Sequence, residues 1–218
     1  MFSQSLYRKY RPSNFNEVYG QTIAKKILIN SSDHAKISHA YLFFGPRGTG
    51  KTSIAKMFAR SVNCLAPVNG NCCEKCNNCL SSIDKNNVDI IEIDAASNNG
   101  VDEIRELRNK VNLVPNSLKY KVYIIDEVHM LSTGAFNALL KTLEEPPEHV
   151  IFILATTEIY KVPATIISRC QTIEFKNIDK KIIENEKTIK QIFCGNTKMI
   201  ENFDFTYIKN KYLALIDK

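Results

Sequence analysis

AYLFFGPRGTGKTSIAKMFARSV, residues 40–62, passes from an apolar stretch through a glycine-rich turn into a pattern of helical period. Residues 40–44 are apolar throughout, as in a strand buried on both faces of a parallel sheet. Gly45, Pro46, Arg47, Gly48, Thr49, Gly50, Lys51 and Thr52 then match the spacing G-x-x-x-x-G-K-[ST]. Beyond them Ile54, Ala55, Phe58, Ala59 and Val62 fall on one helical face. Strand, loop and helix in this order are what the motif requires. The glycines let backbone N–H groups turn inward around phosphates, and the positive end of the helix faces the same point. Lys51 is placed to reach the β- and γ-phosphates and Thr52 to hold Mg²⁺ through its hydroxyl, with Ser53 beside it. A glycine-rich turn without function would not need this context. The stretch reads as a nucleoside triphosphate site.

Three more apolar runs follow, VDIIEI (88–93), KVYIID (121–126) and VIFILAT (150–156), with helical patterns over 101–111 and 134–143 between them. The double proline in EEPPEH (144–149) ends the last of these helices. Strand alternating with helix predicts an α/β layer fold, a parallel sheet flanked by helices. From Lys176 onward the period is lost apart from some helical promise in DKKIIENEKTIKQIF. A core over residues 1–176 and a divergent, partial helical segment over 177–218 are therefore expected.

The KVYIID strand ends at Asp126, a carboxylate at the C-terminal edge of the sheet where Mg²⁺ would sit, and Glu127 is next, positioned to orient or deprotonate a water. His129 stands open between a coupling residue and a satisfied histidine at a helix start. The VIFILAT strand ends in Thr156 and Thr157, hydroxyls able to meet a γ-phosphate or a lytic water. Arg169, in Ser168-Arg169-Cys170, reads in isolation as a surface ion pair.

Composition is ordinary for a globular chain of 218 residues, 44% hydrophobic and 24% charged, and the net charge of +6 suits phosphate-rich partners without requiring them. The N-terminus has no apolar signal region and no run is long enough to span a bilayer, so a cytoplasmic protein without membrane contact is expected. There the seven cysteines are thiols or metal ligands rather than disulfides. Cys73, Cys76 and Cys79 form C-x₂-C-x₂-C, with Cys64 nine positions earlier. Four thiolates on a short polar loop suit tetrahedral Zn²⁺. Cys72 offers a less regular register in place of Cys73, and an iron–sulfur cluster is the rarer occupant.

The segments YRKYRPSNFNEVYGQ, HAYLFFGPRGTGKTSIA, DAASNNGVDEIREL, KVYIIDEVHMLSTGAFNALLKTLEEPPEHVIFILATTE and SRC together resemble the gamma/tau family of bacterial DNA polymerase III, the AAA+ ATPases of the clamp loader. The resemblance runs from Leu6 to Phe175 and implies a P-loop NTPase (AAA+) core with a zinc module inserted at about 64–79. It implies that Arg11, Pro12 and Val18 enclose the adenine of ATP. Asp126 and Glu127 become the second nucleotide motif, Thr157 a nucleotide sensor, and Arg169 a finger inserted into a neighbouring subunit's site. Implied cofactors are ATP, Mg²⁺ and Zn²⁺; implied partners are delta, delta prime, further gamma/tau copies, the sliding clamp and primed DNA. Arg105, Arg108 and Lys110 are candidates for the DNA backbone. The lid and collar of that family are not legible after Lys176. The rival readings are therefore a non-catalytic fragment that binds zinc and does not assemble and, more remotely, a branch-migration helicase motor.

Overall fold

The computed structural model describes residues 11–84 and 87–178. The chain divides into two units, Ile23–Phe175 and a second made of Met1–Thr22 with Lys176–Lys218. Sequence alone groups the first residues with the core instead. Among the described residues, an amide pair 155 positions apart links the two distant segments: Gln21 Nε2 donates to the Lys176 carbonyl at 2.6 Å, and Lys176 N–H returns to Gln21 Oε1 at 3.1 Å. No periodicity announces such a bond. In this unit Asn14 caps a 3-10 turn, Phe15–Glu17, by accepting the N–H groups of Asn16 and Glu17. The helical promise read after Lys176 lies outside the described residues.

The larger unit is built on five parallel strands: β1 (Ala40–Phe44), β2 (Ile90–Asp94), β3 (Lys121–Asp126), β4 (Val150–Thr156) and β5 (Gln171–Glu174). Their order is β2-β3-β4-β1-β5. Helices α1 (Thr22–Asp33), α2 (Lys51–Val62), α3 (Asn77–Ser81), α4 (Val101–Val111), α5 (Thr133–Glu144) and α6 (Ala164–Ile167) complete it. β1, β3 and β4 coincide with three of the apolar runs and are buried along almost all of their length. β2 departs from expectation. It lies at the sheet edge with its residues half-exposed or exposed, which an apolar run does not reveal. β5 is absent from the sequence reading because only Ile173 of its four residues is buried, too little to make a pattern.

Alternation along the strands sorts side chains to two covered faces. Ala40, Leu42, Tyr123, Ile125, Phe152 and Leu154 join α4 and α5 in one core through Ile104, Leu107, Val111, Phe136, Leu139 and Leu143. Each of the leucine, isoleucine, valine and phenylalanine side chains among these contributes about 1.5–3 kcal/mol on burial. Tyr41 points the other way, to α2, where Phe58 meets it edge-on at 5.0 Å between ring centres. In the first core the Tyr123 hydroxyl is buried and finds no hydrogen-bond partner among the described residues. Burial pushes it up to about 12, helped by the charge of Asp89.

Two buried polar residues align the start of β3. Asp89, fully buried, accepts the N–H groups of Asn116, Ser117 and Leu118 at 2.8, 2.7 and 3.0 Å. Burial alone would raise its carboxyl, but these donors and the Ser117 hydroxyl outweigh it and hold it below the ordinary value. Asn63, at the end of α2, exchanges two bonds with Tyr120: its Nδ2 donates to the carbonyl at 3.1 Å and its Oδ1 accepts the N–H at 2.7 Å.

Candidate functional site

β4 lies between β1 and β3, so the loops that leave these three strands meet at one edge of the sheet. Gly45 N–H, the first group after β1, donates to the Thr156 carbonyl at the end of β4 at 3.3 Å. Only glycine fits at 45: its φ is +144°, and a Cβ there would meet the Phe175 carbonyl oxygen at 2.0 Å. Gly50, at φ +94°, turns the loop into α2, where its carbonyl accepts the Ile54 N–H at 2.9 Å. Thr49 Oγ1 steadies the turn through the Pro46 carbonyl at 2.9 Å, and Arg47 and Gly48 lie exposed at its crest. Ser53 follows on α2, half-buried.

Lys51 is 6% exposed, and its ammonium donates to the carbonyls of Gly45 and Pro46 at 2.7 and 2.8 Å. Burial lowers its pKa, while Glu127 and Asp126 nearby favour the charged form. Thr52 Oγ1 donates to Asp126 Oδ2 at 2.6 Å, so the two residues expected around Mg²⁺ are in contact although 74 positions apart. A hydroxyl beside a carboxylate is the oxygen donor set that a hard divalent cation takes.

Glu127 occupies the left-handed region, φ +48° and ψ +46°, which costs a residue with a side chain roughly 1–3 kcal/mol. Its N–H is held by Asp126 Oδ1 at 3.0 Å, and its Oε2 accepts from Thr157 N–H at 3.3 Å and Thr157 Oγ1 at 3.1 Å. Glu127, Thr157, Arg47, His129, Ala96 and Met130 line one cavity of about 350 Å³. Thr156, by contrast, is fully buried, and its hydroxyl is engaged by Glu158 N–H and His129 Nδ1, both at 3.0 Å. Of the two threonines, only Thr157 meets Glu127. Sequence reasoning missed Ala96, Met130 and Glu158; of these, Glu158 carried a signal, as a charged residue directly after the second threonine.

Arg169 is not at this edge. It precedes β5, whose first residue Gln171 pairs with Tyr41 while Glu174 pairs with Phe44. Arg169 therefore lies toward the end of β1 remote from the phosphate loop, where its guanidinium bonds Glu144 at 2.8 Å and the Thr165 carbonyl at 2.8 Å. Arg105, Arg108 and Lys110 are exposed on α4, with Arg105 on Asp102 at 3.0 Å and Lys110 near Glu106 at 3.8 Å. Arg11, Pro12 and Val18 belong to the smaller unit.

The thiols of Cys64, Cys73, Cys76 and Cys79 lie within 4.8 Å of one another, and Cys73 Sγ is 3.9 Å from Cys79 Sγ. A zinc tetrahedron with Zn–S bonds of about 2.3 Å has S···S edges of roughly 3.8 Å, so the cluster fits that ion. Cys72 is buried outside the cluster. Burial acts to raise the Cys76 thiol, but the N–H groups of Leu65 and Cys79 and the neighbouring thiols bring it down to about 6. Leu65, Val68, Leu80 and Ile83 around the cluster are exposed, so the insert has little core to hold its shape. It is anchored at its base. Ser61 Oγ donates to the Gly70 carbonyl at 2.5 Å, Asn78 Nδ2 donates to the Asn63 carbonyl at 2.9 Å, and a Cβ on Gly70 would strike Ile29 of α1.

A family profile described as DNA polymerase III, delta subunit, matches residues 20–179. The chain belongs to this family. Within the DNA polymerase III family it is 62% identical to the tau subunit of Bacillus subtilis over 84% of this chain and 32% of that one. It is 47% identical to the gamma subunit of Buchnera aphidicola over 98% of this chain and 55% of that one. With the tau subunit of Escherichia coli the identity is 48% over 85% of this chain and 29% of that one. The chain thus spans between about a quarter and just over half the length of the curated relatives it matches. Among solved structures, a gamma-subunit-related protein of Thermotoga maritima superposes with a TM-score of 0.57 at 23% identity, covering 75% of this chain and 49% of that one. The RuvB Holliday junction branch migration motor of the same organism gives 0.60 at 21% identity, covering 84% and 53%. At such identities the likeness is one of fold alone, a parallel sheet flanked by helices. The far higher identity to DNA polymerase III subunits does not favour a branch-migration motor. Among the described residues no helix is long and apolar enough to cross a membrane.

Proposed function

We propose that this chain is the ATP-hydrolysing part of a DNA polymerase III clamp-loader subunit of the gamma/tau kind, which uses ATP to open a sliding clamp and place it on primed DNA. The observation that carries this reading is the joined set Lys51, Thr52, Asp126, Glu127 and Thr157, linked by the Thr52–Asp126 bond of 2.6 Å and the Glu127–Thr157 bond of 3.1 Å. An intact lysine and threonine after the glycines support gamma/tau over the related delta prime, whose phosphate loop is degenerate.

In this reading Lys51 leaves the loop carbonyls for the β- and γ-phosphates. Gly45 to Gly50 wrap the phosphates with their N–H groups, and Ser53 supports the same end of α2. Thr52 and Asp126 are the residues that would hold Mg²⁺, which neutralises phosphate charge when bound. Glu127 takes a proton from water as its oxygen bonds the γ-phosphorus and the bridging bond to the β-phosphate breaks. Thr157 holds Glu127 and senses the γ-phosphate. Because Arg169 lies toward the opposite edge of its own sheet, its role is in trans, in the site of a neighbouring subunit. The partners are delta, delta prime, further gamma/tau copies, the clamp and primed DNA. Zn²⁺ at Cys64, Cys73, Cys76 and Cys79 holds the insert rigid.

The test combines calorimetric titration of Mg·ATP with light-scattering mass in the presence of delta, delta prime and ATP. Binding lost in Lys51→Ala and an ATP-dependent heteromer are expected. A chain that binds no nucleotide, or stays at 24.8 kDa in every mixture, would overturn the proposal in favour of a non-assembling fragment.

A further inference from the structure

His129 is enclosed, its side chain 6% exposed, between two carboxylates that arrive on different strands. Its Nδ1 lies 3.4 Å from Glu127 Oε2, beyond β3, and its Nε2 lies 3.3 Å from Glu158 Oε1, beyond β4. Thr156 Oγ1 stands 3.0 Å from the same Nδ1 and accepts the Glu158 N–H, which ties the loop after β4 to the ring a second time. Glu158 is itself held from outside by Lys161 Nζ at 2.8 Å and by the Tyr160 hydroxyl. The result is a continuous polar chain from surface residues to the carboxylate of Glu127.

Such a buried ring is costly unless both nitrogens are engaged. With a proton on each, the ring is a cation facing both carboxylates, and its Nδ1–H is bonded to Thr156 Oγ1. With the Nε2 proton alone, it holds Glu158 and takes the Thr156 hydrogen, leaving Glu127 to Thr157. The ring is therefore a third group against Glu127 Oε2, beside the N–H and hydroxyl of Thr157, and the backbone of Glu127 is already confined to the left-handed region.

We propose that His129 is the positioning residue of Glu127: oriented by Thr156 and Glu158, it sets a protonated Nδ1 against Oε2 at 3.4 Å and fixes the carboxylate at the angle from which it meets the attacking water. This rests on the reading of Glu127 as the hydrolytic base and adds what aims it. A misplacement of about 1 Å in a reacting group costs on the order of 10²-fold in rate. His129→Ala should therefore lower kcat of the assembled complex about 10- to 100-fold with KM for ATP within about threefold. His129→Asn, which restores an N–H near the place of Nδ1, should recover part of the loss, and Glu158→Gln should reduce kcat less than His129→Ala does. Adding Glu158→Gln to His129→Ala should cost little more, since the two act in series.

Glu127→Gln is run alongside. If that variant hydrolyses ATP normally, the proposed base is wrong and this inference falls with it. If it is inactive while folded His129→Ala turns over like the wild type, only the positioning role is refuted. A readout free of turnover and of any variant at 129 comes from imidazole ¹⁵N NMR of the full chain. A protonated Nδ1 that shifts in Glu127→Gln is expected. An unprotonated Nδ1, or one indifferent to Glu127→Gln, would refute the proposal whatever the kinetics.

Discussion

Replacing Asp89 by Asn should destabilise the larger unit although it removes no volume and lies far from the nucleotide motifs in sequence. The carboxylate presents two oxygens to four donors: Oδ1 takes Asn116 N–H, and Oδ2 takes Ser117 N–H, Ser117 Oγ–H and Leu118 N–H. An amide supplies one oxygen. Turned toward the three donors, it aims its NH₂ at Asn116 N–H, which is left without an acceptor at a cost of about 1–3 kcal/mol. Loss of charge assistance in the remaining bonds adds about 1 kcal/mol. The sum, about 2–4 kcal/mol, corresponds to roughly 4–16 °C in melting temperature for a domain of this size. Because the folded-state pKa is depressed, the carboxylate's contribution is fully present above the unfolded value of about 3.9 and is lost as pH falls through the folded value. Urea denaturation of both proteins with zinc bound, repeated from pH 7 downward, checks both claims. The gap should be constant near neutrality and narrow only below about pH 4. A gap under about 0.5 kcal/mol at pH 7, the ordinary scale of a surface substitution, would refute the reasoning. So would a gap that closes between pH 7 and pH 5.

Tyr123→Phe should raise stability by about 0.5–2 kcal/mol, because it removes a buried hydroxyl without a partner and keeps the ring stacked on Phe152; thermal melting decides it, and a loss would mean that the hydroxyl is satisfied. In metal analysis of the purified chain, Cys72→Ser should retain zinc and Cys73→Ser should lose it, since only Cys73 is in the four-thiol cluster; the reverse pattern would reassign the ligand. Arg169→Ala should change stability by no more than about 1 kcal/mol, as its partner Glu144 is half-exposed, and should leave nucleotide binding by the isolated chain intact. Hydrolysis should fall only in the assembly, and a loss of binding by the isolated chain would refute a role in trans.

The parts written locally in the sequence were legible from it. β1, β3, β4, α2 and α4 are each declared by a period or a continuous apolar run, and the phosphate loop by glycines whose conformations are a property of the loop itself. Even the four clustered cysteines follow from spacing, with Cys73 in the more regular register, and the structure leaves Cys72 buried outside the cluster. The strand order is another matter. Placing β4 between β1 and β3 is a packing decision among parallel strands joined by long connections, and it puts Thr157 on Glu127 and closes Thr52 on Asp126. The same register sends Arg169 away from its own phosphate loop and joins Glu158 to Glu127 through His129. A single chain position records which residue types are available and how they alternate. Which of them touch depends on how whole strands and helices bury their faces together, and that energy is shared among residues tens of positions apart.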